Sequence, residues 1–366
     1  MNNNDLLYKI ALSFVPGIGP ITGKRLVSAL GSIENVFSAS TKDLLHIQGI
    51  GEKTIKDIKN PNILKRAEQE IKFIEKYHIT PISYLDQNYP KPLKLLDDSP
   101  LVIYTMGNFS FDENDKYLAI VGTRKATDYG KTQCAKIIQQ LAEMNINVII
   151  ISGLAYGIDY CAHKHALEHN LKTLAVLGHG LDTLYPSVHK HLAKQIIQNG
   201  LLITEYPSYT KITPENFVRR NRIIAGLAHA TIVVESAIKG GALITADYAL
   251  KYKKTLFAIP GRNSDEKSQG PNFLIKNHKA IMLQSAEDIT SELNWQPGPK
   301  QQTIEFVELS ENEKIILQLL QKNNKLHVDK LTELSDMSIN TVQATLFNLE
   351  LKGIIKQLPG NFYTVK

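Results

Sequence analysis

The stretch NVIIISGLAYGIDYCAHKHALEHNLKTLAVLG, residues 147–178, decides the fold that we predict for this chain. It opens with a β-branched apolar run at 147–153 and closes with a second apolar run at 173–178. Residues 156–169 between them carry apolar side chains at helical spacing. Two apolar strands joined by a helix form a strand–helix–strand unit, in which the strands lie parallel and are covered on both faces. The stretch therefore predicts a parallel β-sheet.

The same alternation continues on both sides of this unit. Further apolar runs of strand length are YLAIVG (117–122), LLITE (201–205), TIVVES (231–236) and TLFAIPG (255–261), with AIML (280–283) as a candidate edge strand. Helical patterns fill the gaps at 129–145, 187–199, 215–228 and 241–252. We therefore predict an α/β fold with a Rossmann-like, doubly wound parallel sheet, whose ligand lies beyond the carboxyl ends of the strands.

The predicted strand ends carry an unusual set of small, polar and charged residues. They are Gly122-Thr123-Arg124, Ser152-Gly153, Gly178-His179-Gly180, Glu205, Glu235-Ser236 and Pro260-Gly261-Arg262. Glycines let a ligand approach the backbone, and the helix N-termini that follow offer free N–H groups to an anion. Alternatively, these residues only form tight turns. Four such turns at one edge, with an arginine among them, favour an anion site.

Two familiar nucleotide motifs do not match. In GTRKATDYGKT (122–132), Lys125 stands where a P-loop requires its first glycine. In GHGLDT (178–183), Thr183 stands at the third glycine of a dinucleotide fingerprint. We therefore predict no nucleotide cofactor.

Signals for metal or acid–base chemistry are also weak. His165 and His169 are four residues apart, but Ala166 stands where a zincin has its glutamate. Glu205 and Glu235 both end strands and could act as a general base, or could pair with arginines. No nucleophile–base pair stands out, so we predict no catalytic residue and no metal site.

The stretch FVRRNR, residues 217–222, places three arginines at the start of a helix that residues 213–214 can begin. Two interpretations are open. Cations beside Phe217 suit a track for a nucleic-acid backbone with base stacking. The alternative is a salt-bridge network with Glu205 and Glu235, with the phenylalanine in the core.

Composition limits the class of protein. The 366 residues suggest two to four domains, and the net charge of +6 permits an anionic partner without requiring one. No apolar run is long enough for a membrane span, and the first residues do not read as a secretory signal. Cys134 and Cys161 fit reduced core thiols, so we expect a cytoplasmic protein with no membrane partner.

The N-terminal part contains an internal repeat. Its two copies are FVPGIGPITGKRLVSAL (14–30) and HIQGIGEKTIKDI (46–58). Both copies have an apolar residue, Gly-Ile-Gly and then a helix with lysine, which is the helix-hairpin-helix pattern. Such hairpins hold a nucleic-acid phosphate without reading sequence. Degenerate copies would instead serve only for packing or for contact with another protein.

The C-terminal part reads as a winged helix. Helical patterns at 310–322, 327–335 and 338–352 precede a hairpin at 353–365. The presumed recognition helix carries a single cation, which argues against sequence-specific binding to duplex DNA. We predict these domains: 1–80 tandem helix-hairpin-helix (SAM-like), 81–115 connecting segment leading into the sheet, 116–292 Rossmann-like domain, 293–308 linker and 309–366 winged helix.

Taken together, the central segments resemble the DNA-processing protein A family (DprA/Smf). The matching segments are VGTR (121–124), SGLAYGIDYCAH (152–163), GHGLDTLYP (178–186), TEYPS (204–208), FVRRNRIIAGL (217–227), GGALITADYAL (240–250) and AIPG (258–261). The resemblance implies a non-enzymatic protein that binds single-stranded DNA and protects incoming DNA during natural transformation and recombination. It also implies that the protein loads the recombinase RecA and forms homodimers through the Rossmann-like domain.

The resemblance also implies a set of site residues. Arg124, Arg220 and Arg222 would hold the DNA backbone, and Phe217 would stack on a base. The complete DNA-binding set is Gly122, Thr123, Arg124, Ser152, Gly153, Lys211, Phe217, Arg220, Asn221, Arg222 and Lys239. An alternative from another class is a nucleoside-phosphate hydrolase of the phosphoribohydrolase type, which Glu235 and the glycines at 240–241 keep open.

Overall fold

A computed structural model describes residues 3–112, 114–298 and 309–365 of the chain. The chain divides into two compact units, 1–300 and 301–366, which are considered separately below. Within the described ranges, no helix is both long and apolar enough to cross a membrane.

The N-terminal region is helical and contains both predicted hairpins. Its helices are α1 (Asn3–Phe14), α2 (Pro20–Leu30), α3 (Ile33–Ser38), α4 (Thr41–Leu45), α5 (Glu52–Ile58) and α6 (Pro61–Lys76). Gly17 and Gly49 occupy equivalent turns with φ of +77° and +85°, a backbone conformation that favours glycine. Ile18 and Ile50 are buried behind these turns, and α2 and α5 begin directly after them. The tandem helix-hairpin-helix prediction is confirmed.

The described residues of the first unit form one nine-stranded sheet. Its strands are β1 (Thr80–Ser83), β2 (Val102–Gly107), β3 (Lys116–Val121), β4 (Val148–Ser152), β5 (Thr173–Val176), β6 (Gly200–Thr204), β7 (Ala230–Val233), β8 (Thr255–Ala258) and β9 (Ile281–Met282). Their order across the sheet is β1-β2-β6-β5-β4-β3-β7-β8-β9. From β6 to β9 every neighbouring pair is parallel, as the sequence predicts.

The first two strands come from the segment that we predicted only as a connection. β1 pairs antiparallel with β2, and β2 pairs antiparallel with β6, where Thr105 lies opposite Ile203. Prolines at positions 81, 90, 92 and 100 interrupt this segment and weaken its strand signal. The connecting segment therefore extends the sheet instead of only leading into it.

Helices cover both faces of the sheet. They are α7 (Lys91–Lys94), α8 (Asp128–Glu143), α9 (Ile158–Glu168), α10 (Lys190–Asn199), α11 (Pro214–Leu227), α12 (Gly241–Lys251), α13 (Gln269–Lys276) and α14 (Ala286–Leu293). Successive strand residues face opposite sides. In β3, Leu118 and Ile120 join the core shared with α8 and α9, whereas Ala119 and Val121 join the core shared with α11 and α12. Both layers of the doubly wound fold are therefore present.

Trp295 closes the core at the amino end of the central strands. The side chain is 9% exposed, and its ring lies 6.0 Å from the ring of His229 and 6.0 Å from the Lys116 ammonium group. Lys116 begins β3 and His229 precedes β7. The first residues of the predicted linker thus pack on the α/β core, and residues 299–308 lie outside the described ranges.

The second unit is a small three-helix fold with a hairpin. Its elements are α15 (Glu311–Asn323), β10 (Leu326–His327), α16 (Val328–Ser335), α17 (Ile339–Leu351), β11 (Ile355–Leu358) and β12 (Phe362–Val365). The strands pair in the order β10-β12-β11, and Ile316, Leu331 and Leu346 are fully buried among the helices. This is the predicted winged helix.

Candidate functional site

A cleft of about 620 Å³ opens at the carboxyl edge of the sheet. It lies where β3 has β4 on one side and β7 on the other, so that the connections leave in opposite directions. Such a switch point is where open α/β sheets bind ligands. Predicted site residues that line the cleft are Gly122, Thr123, Arg124, Phe217, Arg220 and Asn221.

Close packing fixes the loop that follows β3. A side chain at Gly157 would place its Cβ 2.2 Å from the Thr123 carbonyl oxygen, and Gly157 has φ of +75°. The Ile158 amide donates to the same carbonyl at 3.2 Å. Glu235 accepts hydrogen bonds from the Thr127 amide at 2.9 Å and from the Thr127 hydroxyl. This carboxylate therefore braces the loop before α8 and lies outside the cleft lining.

Arg124 and Phe217 lie together at the mouth of the cleft. The Arg124 guanidinium lies 5.6 Å from the centre of the Phe217 ring, within cation–π range, and its side chain is exposed. The Phe217 ring is half-buried over Gly178, where any added Cβ would lie 2.7 Å from it. Tyr185 lies 5.6 Å from Phe217 between ring centres. An exposed cation and two aromatic rings thus share one surface.

Arg220 lies beneath the cleft floor and is 3% exposed. Its guanidinium donates to the carbonyl oxygens of Gly153, at 2.9 Å, and of Val176. Burial lowers the Arg220 pKa to about 10, against the opposing effect of Asp159, so the side chain stays charged at neutral pH. Burial raises the pKa of Asp159, which also lines the cleft. Among the described side chains, the Arg220 Nε is one of the buried polar atoms without a hydrogen-bond partner.

Arg222 points away from the cleft. Its guanidinium donates to the Asp98 carbonyl oxygen at 2.6 Å and pairs with the Glu205 carboxylate. The side chain is buried, and Arg219 lies 4.0 Å from the same carboxylate while remaining half-exposed. The salt-bridge interpretation of the arginine cluster therefore describes Arg222 and Glu205, whereas Glu235 pairs with none of these arginines in the described contacts.

The remaining predicted residues divide into two groups. Ser152 is fully buried and donates to the Ile120 carbonyl oxygen at 2.6 Å, and the Gly153 carbonyl oxygen accepts from Arg220 at 2.9 Å. Neither residue lines the cleft. Lys211 and Lys239 are exposed, and each is next in sequence to a residue of the cleft lining.

Three helices begin at the cleft. The lining includes Ala155 and Asp159 around the start of α9, Thr213 and Pro214 at the start of α11, and Gly241 at the start of α12. No side-chain cap is bonded to the first turn of any of these three helices. The positive ends of three helix dipoles therefore favour an anionic ligand.

Several lining residues were not in the predicted DNA-binding set. Asp159, Tyr185, Ile212 and Thr245 line the cleft, as does Ser236, which the sequence indicated only as a strand-end residue. Asp159 and Tyr185 lie in the segments 152–163 and 178–186, which carry the family resemblance. Their position within those segments was the sequence signal that could have identified them as site residues.

His163, His165 and both cysteines are engaged in the fold. The His163 Nδ1 lies 2.7 Å from the Thr173 hydroxyl, and His165 pairs with Glu168 at 2.7 Å. Cys134 and Cys161 are free thiols buried in the α/β core. Within the described part of the chain, no three metal-binding side chains are grouped to hold an ion.

Comparison with known proteins gives consistent matches along the chain. The family model for DNA recombination-mediator protein A matches residues 80–294, a SAM-like helix-hairpin-helix tandem matches 9–60, and a DprA winged-helix domain matches 305–361. Protein Smf of Synechocystis sp. is 32% identical over 99% of both chains. The fold and the domain types that we predict are therefore shared with these proteins.

Two solved structures are similar to the chain. The X-ray structure of DNA processing protein A from Streptococcus pneumoniae has a TM-score of 0.60 and 30% identity, covering 78% of this chain and 96% of that one. The structure of DNA processing protein A from Helicobacter pylori has a TM-score of 0.54 and 28% identity, covering 60% of this chain and 98% of that one. The second structure concerns that protein's single-stranded DNA binding mode.

Proposed function

Because the chain belongs to the DNA recombination-mediator protein A family, we propose that it binds single-stranded DNA in the cleft beyond β3 and β7 and acts in DNA processing during natural transformation. The observation that carries the proposal is the exposed Arg124 over the Phe217 ring, at the mouth of a cleft where three helices begin. Phosphates suit the helix N-termini and the arginine, and a base suits the ring.

Each group has its own part in this proposal. Arg124 contacts a phosphate directly, and the exposed Lys211 and Lys239, each next in sequence to a lining residue, are further candidate cations. Arg220 contributes its charge and its unpaired Nε from below, whereas Ser152 and Gly153 support the floor. Because phosphate contacts and stacking read no base edges, binding is independent of sequence.

A titration of the whole chain tests the proposal. Labelled oligo-dT and a duplex of equal length are titrated by fluorescence anisotropy with the wild type and with Arg124→Ala. We expect tighter binding to the single strand, since a duplex hides its base faces, and a selective loss of that binding in the variant. Equal affinity for both DNA forms, with no effect of Arg124→Ala, would contradict the proposal.

We propose that the chain has no enzymatic activity. In the alternative of a nucleoside-phosphate hydrolase, Glu235 would be the acidic residue beside the glycines at 240–241, but this carboxylate is 2% exposed and accepts two hydrogen bonds from Thr127. Incubation with nucleoside monophosphates, followed by chromatography of the free bases, distinguishes the two functions. Release of base without oligonucleotide binding would establish the hydrolase instead.

The finer parts of the proposal concern partners. We propose that the protein loads RecA onto single strands and acts as a homodimer, as its family resemblance implies. The edge strand β9 exposes Ile281 and Met282, and an apolar sheet edge suits a subunit contact. Light scattering should give twice the monomer mass of 41.0 kDa. RecA filament formation on a protein-coated strand should accelerate when the chain is added. An unchanged rate would contradict the proposal that the protein loads RecA.

A further inference from the structure

Exposed aromatic rings continue beyond the mouth of the cleft. Tyr156 and Tyr160, at the start of α9, are 44% and 39% exposed, although both belong to a firmly packed segment. Tyrosine combines a large apolar ring with a polar hydroxyl group and is enriched at contact surfaces. A pair of half-exposed rings one helical turn apart therefore forms a surface available for contact.

A buried histidine holds these two rings in place. His189 lies 5.1 Å from Tyr156 and 4.8 Å from Tyr160 between ring centres. Its Nδ1 lies 2.9 Å from the Leu154 carbonyl oxygen, which ties the imidazole to the segment before α9. The tyrosine rings therefore rest on a fixed support.

The surface is continuous with the cleft. Ala155 and Asp159, the residues that precede Tyr156 and Tyr160, both line the cleft. A 3-10 turn over Ser187–His189 links the supporting histidine to Tyr185, which contacts Phe217. Two groups of aromatic rings thus lie at successive places along one edge.

Cations accompany the second group. Lys190 and Lys194 are exposed on α10, which begins directly after His189. Aromatic rings interleaved with cations are the combination by which proteins hold single strands without sequence preference. This combination favours a nucleic-acid strand over an apolar protein partner at this surface.

We propose that Tyr156 and Tyr160 form a second base-stacking station, which holds bases of a single-stranded DNA that has already entered the cleft at Phe217. The inference rests on the proposed function, because the first station is the cleft itself. The strand contacts the protein at two stations, with Lys190 and Lys194 beside the outer one for its phosphates.

A series of oligo-dT lengths tests the second station. The double variant Tyr156→Ala/Tyr160→Ala should bind the shortest oligonucleotides like the wild type, since these occupy only the cleft. Longer ones should lose about 5- to 150-fold in affinity, the value of one stacked base. Loss of affinity at every length, or at none, overturns the inference. If no length binds to the wild type, the proposed function itself has failed.

Three controls separate stacking from folding. Tyr77→Ala removes a ring of similar exposure (47%) in the helical region and should leave binding unchanged at all lengths. Tyr156→Phe/Tyr160→Phe keeps both rings and should restore affinity. 2-Aminopurine placed at successive positions of a long strand should be quenched at two separate places, and the double alanine variant should restore emission at only one. Emission that is restored at both places, or at neither, contradicts two independent stations.

Discussion

Three arginines crowd four positions of α11, yet each has a different environment. Consecutive helix residues are about 100° apart, so Arg220 and Arg222 project on nearly opposite sides. Arg220 reaches under the cleft, and Arg222 reaches the Asp98 carbonyl group and Glu205. The sequence could show that the cluster lies on a helix, but spacing alone could not show which arginine faces the ligand. That depends on how α11 is rotated against the sheet.

At the residue scale, Arg124 should behave as a contact to phosphate. Arg124→Ala should weaken binding to oligonucleotides of any sequence and reduce the slope of log affinity against log salt by roughly 0.7. Phe217→Ala is the matched control, since it should cost about 1–3 kcal/mol of stacking with the salt slope unchanged. Anisotropy titrations at several salt concentrations check both variants. An unchanged slope in the arginine variant would show that Arg124 makes no phosphate contact.

Arg222 should instead affect stability. Arg222→Ala removes the buried partner of the Glu205 carboxylate and leaves only the half-exposed Arg219 near it, and we expect a loss of about 3–5 kcal/mol in the free energy of unfolding. Urea denaturation measures this loss. The double variant Arg222→Met/Glu205→Leu should recover most of it, because no charge is left buried. A variant that stays fully stable and loses DNA affinity would return Arg222 to the predicted DNA-binding set.

At the element scale, His163 joins α9 to the sheet. The Thr173 hydroxyl donates its proton to the Ile150 carbonyl oxygen, so the His163 Nδ1–H must donate to Thr173. The other ring nitrogen, Nε2, is buried without a partner among the described residues. Burial lowers the His163 pKa from 6.5 to about 3, so the folded protein holds a neutral imidazole.

The burial of His163 predicts that the stability of the protein depends on pH. Because the folded-state pKa of His163 lies below its unfolded value, the unfolded chain takes up the proton first. Stability should fall as the pH drops from 6.5 towards 3, by up to about 1.4 kcal/mol for each pH unit. His163→Asn retains a donor without titrating, so the difference between the two denaturation curves isolates this effect. Parallel curves would exclude the histidine as its source.

The loop after β3 packs against the start of α9, and this contact depends on Gly157. Gly157→Ala should cost about 1–3 kcal/mol for its backbone conformation alone, and the added Cβ would displace the Thr123 carbonyl group and with it Arg124. Gly241→Ala is the matched control, since a Cβ there meets no atom within 4 Å. Thermal denaturation should separate the two variants. Equal melting temperatures would show that the loop after β3 can adjust.

The predicted elements differ in how visible they are in a sequence. The strands from β3 to β8 are apolar on both faces because helices cover both faces, so their residues form continuous runs. Strand β1 contains Pro81 and β2 follows Pro100, so both are recognisable only through the pairing of β1 with β2 and of β2 with β6. Phe217 and Arg124 were predicted from motifs, whereas Tyr156 and Tyr160 were not, because their surface forms only when His189 folds against them.

At the scale of the whole molecule, the cleft belongs entirely to the first unit. Its lining residues run from Val121 to Thr245, whereas the winged helix begins after residue 308. A chain that ends at residue 298 should therefore bind short oligo-dT with unchanged affinity. Anisotropy of the truncated and full-length chains checks this, with melting curves as the control for folding. A truncated protein that is folded but binds more weakly would assign part of the DNA contact to the second unit.

The position of Trp295 provides an intrinsic optical probe. The chain has one tryptophan, and its ring packs at the amino end of the central strands, whereas the cleft opens at their carboxyl end. Its emission should therefore follow unfolding of the sheet and remain unaffected by a ligand bound at the far edge. Stability can thus be read from indole fluorescence in the presence of a dye-labelled oligonucleotide, in one cuvette and for every variant above. A change in that emission on addition of DNA would show that ligand binding alters the surroundings of Trp295 at the opposite end of the strands.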